Sequence, residues 1–358
     1  MTLETKKGSL FSRLEAEGYE EVVFCFDPNS GLKSIIALHN LQLGPGLGGC
    51  RFYHYPSEES ALDDALNLAQ AMTYKAALAG LDLGGGKSVI LGDPQKDKTK
   101  SRLRAFGSFV ERLSGNYITT VDSGTSPEDM DVVLETTRHV VGATPTKGGS
   151  GDPSPMTAIG VVEGIRACAK FVFGSTDLTG KRIALQGMGH VGLPLAQQLA
   201  ELGAVLIVTD TNKNHLQIMS QKLKAEIVEP NEIYNVKCDI FAPCAMGGVL
   251  NDETVSKLRC QIVAGSANNQ LRSENVAETL RAQGIVYAPD FAINAGGLIQ
   301  VAHELHGFDR AKAEGKTRKI FDTITNILTA AEREKINTSK VALRLAKERL
   351  EKSPSKLR

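Results

Sequence analysis

The chain has 358 residues, more than one hydrophobic core usually organises, so two domains are expected. Apolar residues make up 42% and charged residues 23%, the balance of an ordinary water-soluble protein. Its 41 basic and 41 acidic side chains cancel, which gives no electrostatic reason to expect nucleic acid or an anionic membrane as partner, and no apolar run approaches membrane-spanning length.

Ser9–Glu17 predicts a short helix, Glu21–Asp27 a strand, and Asp27-Pro28-Asn29-Ser30-Gly31 a turn into a second strand, Leu32–His39, so an antiparallel pair is expected. Leu43–Gly49 reads as a glycine-rich loop and Arg51–Tyr55 as a further strand. Arg51, just after that loop, can contact an anion or form a surface salt bridge.

In the next stretch Leu62, Ala65, Leu66, Ala69, Met72 and Ala76 recur at steps of three and four, one face of a helix. Lys75 falls at the border of that face. Gly84-Gly85-Gly86 is expected to bend the backbone and let it approach a bound molecule, with a strand starting at Lys87. Two lysines are thereby directed toward one place. Burial and a neighbouring cation both disfavour a charged ammonium, so one such lysine suits a general base, while one kept charged holds a carboxylate. The competing reading is a pair of snorkelling lysines.

A helix is expected over Leu103–Leu113, then a strand, Tyr117–Val121, ending at Asp122. An acid at a strand end suits catalysis in an α/β sheet and equally suits a turn or cap. Pro127–Thr136 reads as a helix. Lys147–Pro155 is a Gly/Ser/Pro-rich break, read as an interdomain hinge, after which Ser154 is expected to cap a helix running through Phe171.

Arg182–Gln186 reads as a strand, followed by Gly187-Met188-Gly189-His190-Val191-Gly192, a helix, and a strand Ala204–Thr209 ending in Asp210. The G-x-G-x-x-G spacing alone is weak. Inside a strand–turn–helix–strand unit with an acid at the next strand end, it predicts a dinucleotide site with the pyrophosphate at the helix N-terminus. Asp210 would take ribose hydroxyls and repel a 2′-phosphate, favouring NAD over NADP. Pro194 fits only in the first turn of that helix. Strands follow at Asp239–Ala242, Gln261–Ala264 and Ile285–Ala288, and Asn268 and Asn294 offer amides to a nicotinamide or a carboxylate. Helices are expected over Leu298–Leu305, Thr317–Ala331 and Ser339–Glu351, with a frayed end, KSPSKLR.

Six scattered cysteines without a C-x-x-C read as reduced thiols of a cytoplasmic protein, and the opening twenty residues lack the apolar core of a secretion signal. His303 and His306 do not form H-E-x-x-H, so no metal site is expected.

The motifs LGPGLGGCR, MTYKAALAGLDLGGGKSVI, VDSGTSPEDMD, QGMGHVG, APCAMGG, GSANNQL and APDFAINAGGLIQVAHE occur in that order. They resemble the glutamate/leucine/phenylalanine/valine dehydrogenase family, in its branch acting on branched-chain and aromatic amino acids. The likeness runs from about Glu20 to the last helices. It implies an N-terminal α/β substrate and oligomerisation domain (1–147), a doubly wound Rossmann domain (148–330), a cleft between them, and C-terminal helices (331–358) returning to the first domain. It also implies reversible NAD-dependent deamination of an L-amino acid to a 2-oxo acid and ammonia, by a homo-oligomer, a dimer or octamer.

Matched residue by residue, the resemblance makes Lys75 the holder of the substrate carboxylate, Lys87 the base that activates water, and Asp122 the acid exchanging a proton with the substrate nitrogen. It puts Leu47, Gly48, Gly49, Met72, Thr120, Asn268, Leu298 and Val301 around the substrate. Around the cofactor it puts Arg51, Thr157, Gly187 to Gly192, Asp210, Ala245, Met246, Ala267, Asn268 and Asn294. Thr120 departs from the alanine of leucine-type and the glycine of phenylalanine-type members. Its bulk argues against a large aromatic ring, while Leu298, Ala245-Met246-Gly247-Gly248 and the GGGK glycine point the other way; leucine, valine or isoleucine is expected, with phenylalanine second. The competing readings are a catalytically silent NAD-binding sensor of amino acids, which the retained Lys75, Lys87 and Asp122 disfavour, and a glutamate dehydrogenase, which the neutral pocket disfavours.

Overall fold

The computed structural model describes residues 9–353. It forms two compact units, one reaching up to Gly151 and taking in Arg349 onward, the other Asp152–Glu348.

The first unit is built on a five-stranded mixed sheet: β1 (Glu21–Asp27), β2 (Leu32–Leu38), β3 (Gly46–Tyr53), β4 (Gly84–Leu91) and β5 (Tyr117–Val121), in the order β1-β2-β4-β3-β5. β2 runs antiparallel to β1 and β4, while β3 runs parallel to β4 and β5. Both faces are covered, as the continuous apolar run Ile35-Ile36-Ala37-Leu38 requires. Ile35, Ala37 and Val89 meet Ala61, Ala65, Leu66 and Ala69 of the helix Glu58–Leu78. Ile36, Leu38, Phe52 and Ile90 meet Leu103, Phe106 and Val110 of the helix Lys100–Arg112, with Met130 and Val133 of the helix Pro127–Val133. Arg349 donates to the carbonyl of Ala77 at 2.8 Å and to Asp82 at 2.9 Å, satisfying carbonyls at the end of the Glu58–Leu78 helix.

The second unit carries an all-parallel sheet of β6 (Arg182–Gln186), β7 (Val205–Thr209), β8 (Glu226–Ile227), β9 (Ile240–Pro243), β10 (Ile262–Val263) and β11 (Val286–Tyr287), in the order β11-β10-β9-β6-β7-β8. This is the doubly wound order, with the chain reversing direction across the sheet between β6 and β9, where such folds bind ligands. The helix Ser154–Phe173 packs against the helices Gly192–Glu201, Gly296–Glu304 and Ile320–Glu334.

Several expectations are corrected. Gly46–Gly49 are strand residues of β3, not loop, and β4 begins at Gly84, three residues before Lys87. Glycine has low strand propensity, but here the elements lie too close for side chains. A Cβ on Gly85 would strike Thr73 and the Ala69 carbonyl, one on Gly86 would strike the Tyr117 ring at 2.6 Å, and one on Gly84 would strike the Asn40 carbonyl. The space at the glycine run is therefore filled by the protein itself. The inward stripe of the Glu58–Leu78 helix runs through Ala61 and Thr73, both fully buried, whereas Leu62 and Met72 are half-buried. Ser154 is the first helical residue and not a side-chain cap, Pro153 holding the cap position. The stretch read as one helix from Thr317 is two, Arg310–Arg318 and Ile320–Glu334. Beyond Ser353 the expected fraying lies outside the described residues.

Candidate active site

In the first unit Lys87 projects from β4 and is only 3% exposed. It forms an ion pair with Asp122 Oδ2. Asp122 stands one residue past β5. Its Oδ1 accepts from Arg51 Nε at 3.0 Å and from the Ser123 N–H at 2.7 Å, while its own N–H donates to the Thr125 hydroxyl. Burial alone would raise the Asp122 pKa, but the Lys87 ammonium and the Arg51 guanidinium outweigh it and hold the carboxyl well below the usual carboxylate range. Arg51 also donates to Asp64 Oδ2 at 2.8 Å, and the Tyr55 hydroxyl donates to the same oxygen at 2.5 Å. Of the two readings of Arg51, the structure displays the ion pair, directed inward to Asp122 and Asp64.

The strand register explains how these groups meet. β3 pairs with β5 so that Gly49 lies opposite Thr120 and Cys50 opposite Val121. A Cβ on Gly49 would come within 2.7 Å of Asp122 Cβ and 2.5 Å of the Val121 carbonyl, so the missing side chain makes the room Asp122 occupies. The Tyr117 hydroxyl donates to the Gly48 carbonyl at 2.8 Å and sits 2.9 Å from Ser88 Oγ, tying β3, β4 and β5 together beneath the pair. Thr120 is buried, and its hydroxyl has no hydrogen-bond partner among the described residues. Leu47 is fully buried on β3. Lys75 is half-buried in the last turn of its helix, the helix that packs along β4.

In the second unit the three glycines of the G-x-G-x-x-G turn have separate jobs. Gly187 adopts φ +98°, with Ala245 2.7 Å from where a Cβ would lie. Gly192 packs against the Gly187 carbonyl at the start of the helix Gly192–Glu201. Gly189 faces open space, with nothing within 4 Å of a Cβ position. That is the division a pyrophosphate cradle needs: a tight turn, an open approach, and close helix packing. Met188 is buried, while His190 is exposed and Val191 half-buried. Pro194 falls in the first turn of the helix, where its missing N–H costs nothing.

Asp210 follows β7 and accepts from the Met188 N–H and, at 2.6 Å, from the Asn212 N–H, so it braces the glycine turn. At the ends of β9 and β10 Ala245 and Met246 are exposed and Ala267 is buried. Asn294 donates to Asn268 Oδ1 at 2.8 Å and to the Ser266 carbonyl at 3.0 Å, and its own buried Oδ1 has no partner among the described residues. Thr157 lies in the first turn of the Ser154–Phe173 helix, its hydroxyl bonded to the Pro153 carbonyl. Leu298 and Val301 are buried on the helix Gly296–Glu304.

A doubly wound sheet with an open glycine turn, and a buried amine–carboxylate pair held by a second cation, define an α/β enzyme with a Rossmann-type cofactor fold. The comparisons with known proteins narrow that class. The family profile described as Glu/Leu/Phe/Val dehydrogenase, dimerisation domain, matches residues 19–139, and that of Glutamate/Leucine/Phenylalanine/Valine dehydrogenase matches residues 207–356. The chain belongs to this family of amino-acid dehydrogenases. It is 52% identical over 342 residues to a leucine dehydrogenase of Thermoactinomyces intermedius, covering 96% of this chain and 93% of that one. It is 45% identical over 339 residues to a phenylalanine dehydrogenase of Caldalkalibacillus thermarum strain TA2.A1, covering 93% and 92%. Among solved structures, L-tryptophan dehydrogenase from Nostoc punctiforme superposes with a TM-score of 0.85 at 40% identity, covering 96% of this chain and 99% of that one.

Proposed function

We propose that the protein catalyses the reversible NAD-dependent oxidative deamination of an L-amino acid, branched-chain aliphatic ones preferred, to its 2-oxo acid and ammonia. The observation that carries this reading is the buried Lys87–Asp122 pair, in a chain about half identical to leucine dehydrogenases over nearly its whole length. Phenylalanine is the second substrate, supported by the 45% identity to a phenylalanine dehydrogenase.

Nicotinamide, when bound, supplies the acceptor for the hydride that leaves the substrate Cα. Gly187, Gly189 and Gly192 would hold the pyrophosphate and Asp210 the ribose hydroxyls, with Asn268 and Asn294 offering amides near the ring. In this reading Lys75 holds the substrate carboxylate as a fixed cation. Asp122 takes a proton from the substrate ammonium and holds it while the iminium group forms. Lys87, as the neutral amine, acts as base toward the water that attacks the iminium carbon. The resulting carbinolamine breaks to ketone and ammonia as Asp122 returns its proton to the nitrogen and the carboxylate so formed accepts the hydroxyl proton. Leu47, Thr120, Leu298 and Val301, all neutral, suit an aliphatic side chain and offer no cation for a distal carboxylate.

We also propose a homo-oligomer located in the cytoplasm. β1 is a sheet edge carrying Phe24 and Phe26, 59% and 63% exposed in the single chain, a surface that favours burial against a second copy. No helix among the described residues is long and apolar enough to cross a membrane.

The test follows NADH absorbance with purified protein, NAD and a panel of L-amino acids. Turnover is expected with leucine, valine and isoleucine, more weakly with phenylalanine. No turnover with any aliphatic or aromatic amino acid would favour the silent sensor instead. An Asp210→Ala variant should bind NAD more weakly, and an unchanged preference over NADP would remove Asp210 from cofactor selection.

A further inference from the structure

Two cysteines remote in sequence from the glycine turn and the Lys87–Asp122 pair stand opposite each other. Parallel pairing sets Ile240 of β9 against Ile262 of β10, and Phe241 against Val263. The register continues past the strands' amino ends, where Lys237 bridges Arg259 and the Cys238 N–H donates to the Arg259 carbonyl at 3.3 Å. Cys238 is therefore level with Cys260 on the neighbouring strand. Adjacent strands run about 4.8 Å apart with level side chains on one face. That separation falls within the Cα–Cα span of a disulfide, roughly 4.4–6.8 Å. Both cysteines pack against the cluster around Phe241 and Val263. Both are free, and neither is fully buried.

We propose that Cys238 and Cys260 are a redox-responsive dithiol that closes to an intramolecular disulfide on meeting a disulfide oxidant. The two sulfurs have different roles. The neighbouring Cys238, and then burial, push the Cys260 thiol far up. The neighbouring Cys260 thiol draws Cys238 below the ordinary thiol range, against burial; the Ala184 N–H and the Arg182 guanidinium act in the same direction and the Asp239 carboxylate against it. A lowered, accessible thiol beside a second one is the arrangement of redox-sensing pairs. Cys238 thiolate attacks one sulfur of the oxidant and expels the other as a thiolate. That thiolate takes the Cys260 proton, and Cys260 attacks Cys238 Sγ, releasing the second oxidant thiol. Two electrons pass from the cysteine pair to the oxidant, and one S–S bond is exchanged for another. The link joins the amino ends of β9 and β10, the ends opposite Pro243 and Ala245, so it staples the sheet away from the glycine turn.

The test treats the full chain with glutathione disulfide, alkylates the remaining thiols and maps tryptic peptides by mass. Cleavage after Lys237, Lys257 and Arg259 leaves Cys238 and Cys260 on separate peptides, with Cys244 beside Cys238 on the first. The expected product is one cross-link between Cys238 and Cys260, reversed by dithiothreitol, with the other four cysteines alkylated. Cys260→Ser should retain glutathione on Cys238 as a stable mixed disulfide, and Cys238→Ser should form no cross-link. The proposal is overturned if all six thiols of the unmodified chain still alkylate after oxidation, or if the cross-link runs through Cys244. The decisive map comes from the unmodified chain, so poor folding of either variant does not alter the outcome.

Discussion

Arg51 Nε lies 3.0 Å from Asp122 Oδ1, on the opposite carboxylate oxygen from the one Lys87 engages. Asp122 is thus held from both sides, and Arg51 is itself fixed by Asp64, which accepts the Tyr55 hydroxyl. A guanidinium that is ion-paired twice is a positioning group for the acid. Arg51→Met should therefore lower kcat by about tenfold or more, roughly 1.4 kcal/mol of lost transition-state stabilisation. NAD affinity should stay unchanged. Equilibrium NAD binding measured beside steady-state kinetics decides this: weaker NAD binding with kcat intact would return Arg51 to the cofactor.

The same clamp sets an acid limit on stability. The folded-state pKa of Asp122 is depressed, so its contribution is fully present above the unfolded carboxyl value, about 3.9, and is lost as pH falls from there through the folded pKa. Asp122→Asn removes that contribution and leaves the Lys87 ammonium buried without its carboxylate. The variant should be less stable than the parent by about 3 kcal/mol at neutral pH. The gap should be constant above about pH 5 and narrow on acidification below about pH 4. Urea unfolding at several pH values measures it, and a gap that widens in acid would contradict the sign.

Individual elements differ in how far the sequence alone revealed them. β1, β5 and β6 keep the bounds read from their apolar runs, and the order of strands and helices around Gly187–Gly192 carried the doubly wound sheet. The glycine strands were opaque, because a strand of Gly46, Gly48 and Gly49 beside one of Gly84, Gly85 and Gly86 is specified by neighbouring atoms and not by propensity. β8, β10 and β11 are two residues each, too short to show a period of two. Asp122 was visible as an acid at a strand end. Its clamp was not, since Arg51 and Asp122 are 71 residues apart and meet only through the β3–β5 register. Asp64 carried a weak signal, as an acid on the helix that also presents Lys75.

Three glycine-to-alanine changes should separate folding, chemistry and cofactor binding. Gly85→Ala pushes a methyl into Thr73 and the Ala69 carbonyl, where backbone cannot yield cheaply, and should destabilise the fold by about 3 kcal/mol. Gly49→Ala meets Asp122 Cβ at 2.7 Å and should displace the carboxylate, so turnover falls more than NAD binding does. Gly189→Ala meets nothing and needs no positive φ, so its melting temperature should match the parent. Its NAD affinity should nonetheless fall about tenfold or more, because the methyl fills the approach a pyrophosphate would use. Thermal melts with and without NAD sort the three, and an unaltered NAD affinity for Gly189→Ala would undo the cradle.

Thr120 carries the most specific expectation about substrate. Its hydroxyl is buried without a partner among the described residues, and the Gly142 Cα side approaches it so closely that a Cβ there would lie 2.5 Å from Oγ1. An unsatisfied buried hydroxyl costs about 1–3 kcal/mol, so Thr120→Val, which keeps the shape, should raise the unfolding midpoint. Thr120→Ala removes the γ atoms as well and opens volume on the strand face that leads to Asp122. If Thr120 borders the substrate side chain, this variant should shift the ratio of kcat/KM toward phenylalanine over leucine by about 10-fold to 200-fold, the 1–3 kcal/mol that a methylene-sized change supplies. The Val variant should leave that ratio near the parent's. A ratio that responds equally to both changes would mean that the hydroxyl and not the volume selects the substrate, and no response to either would put Thr120 outside the pocket.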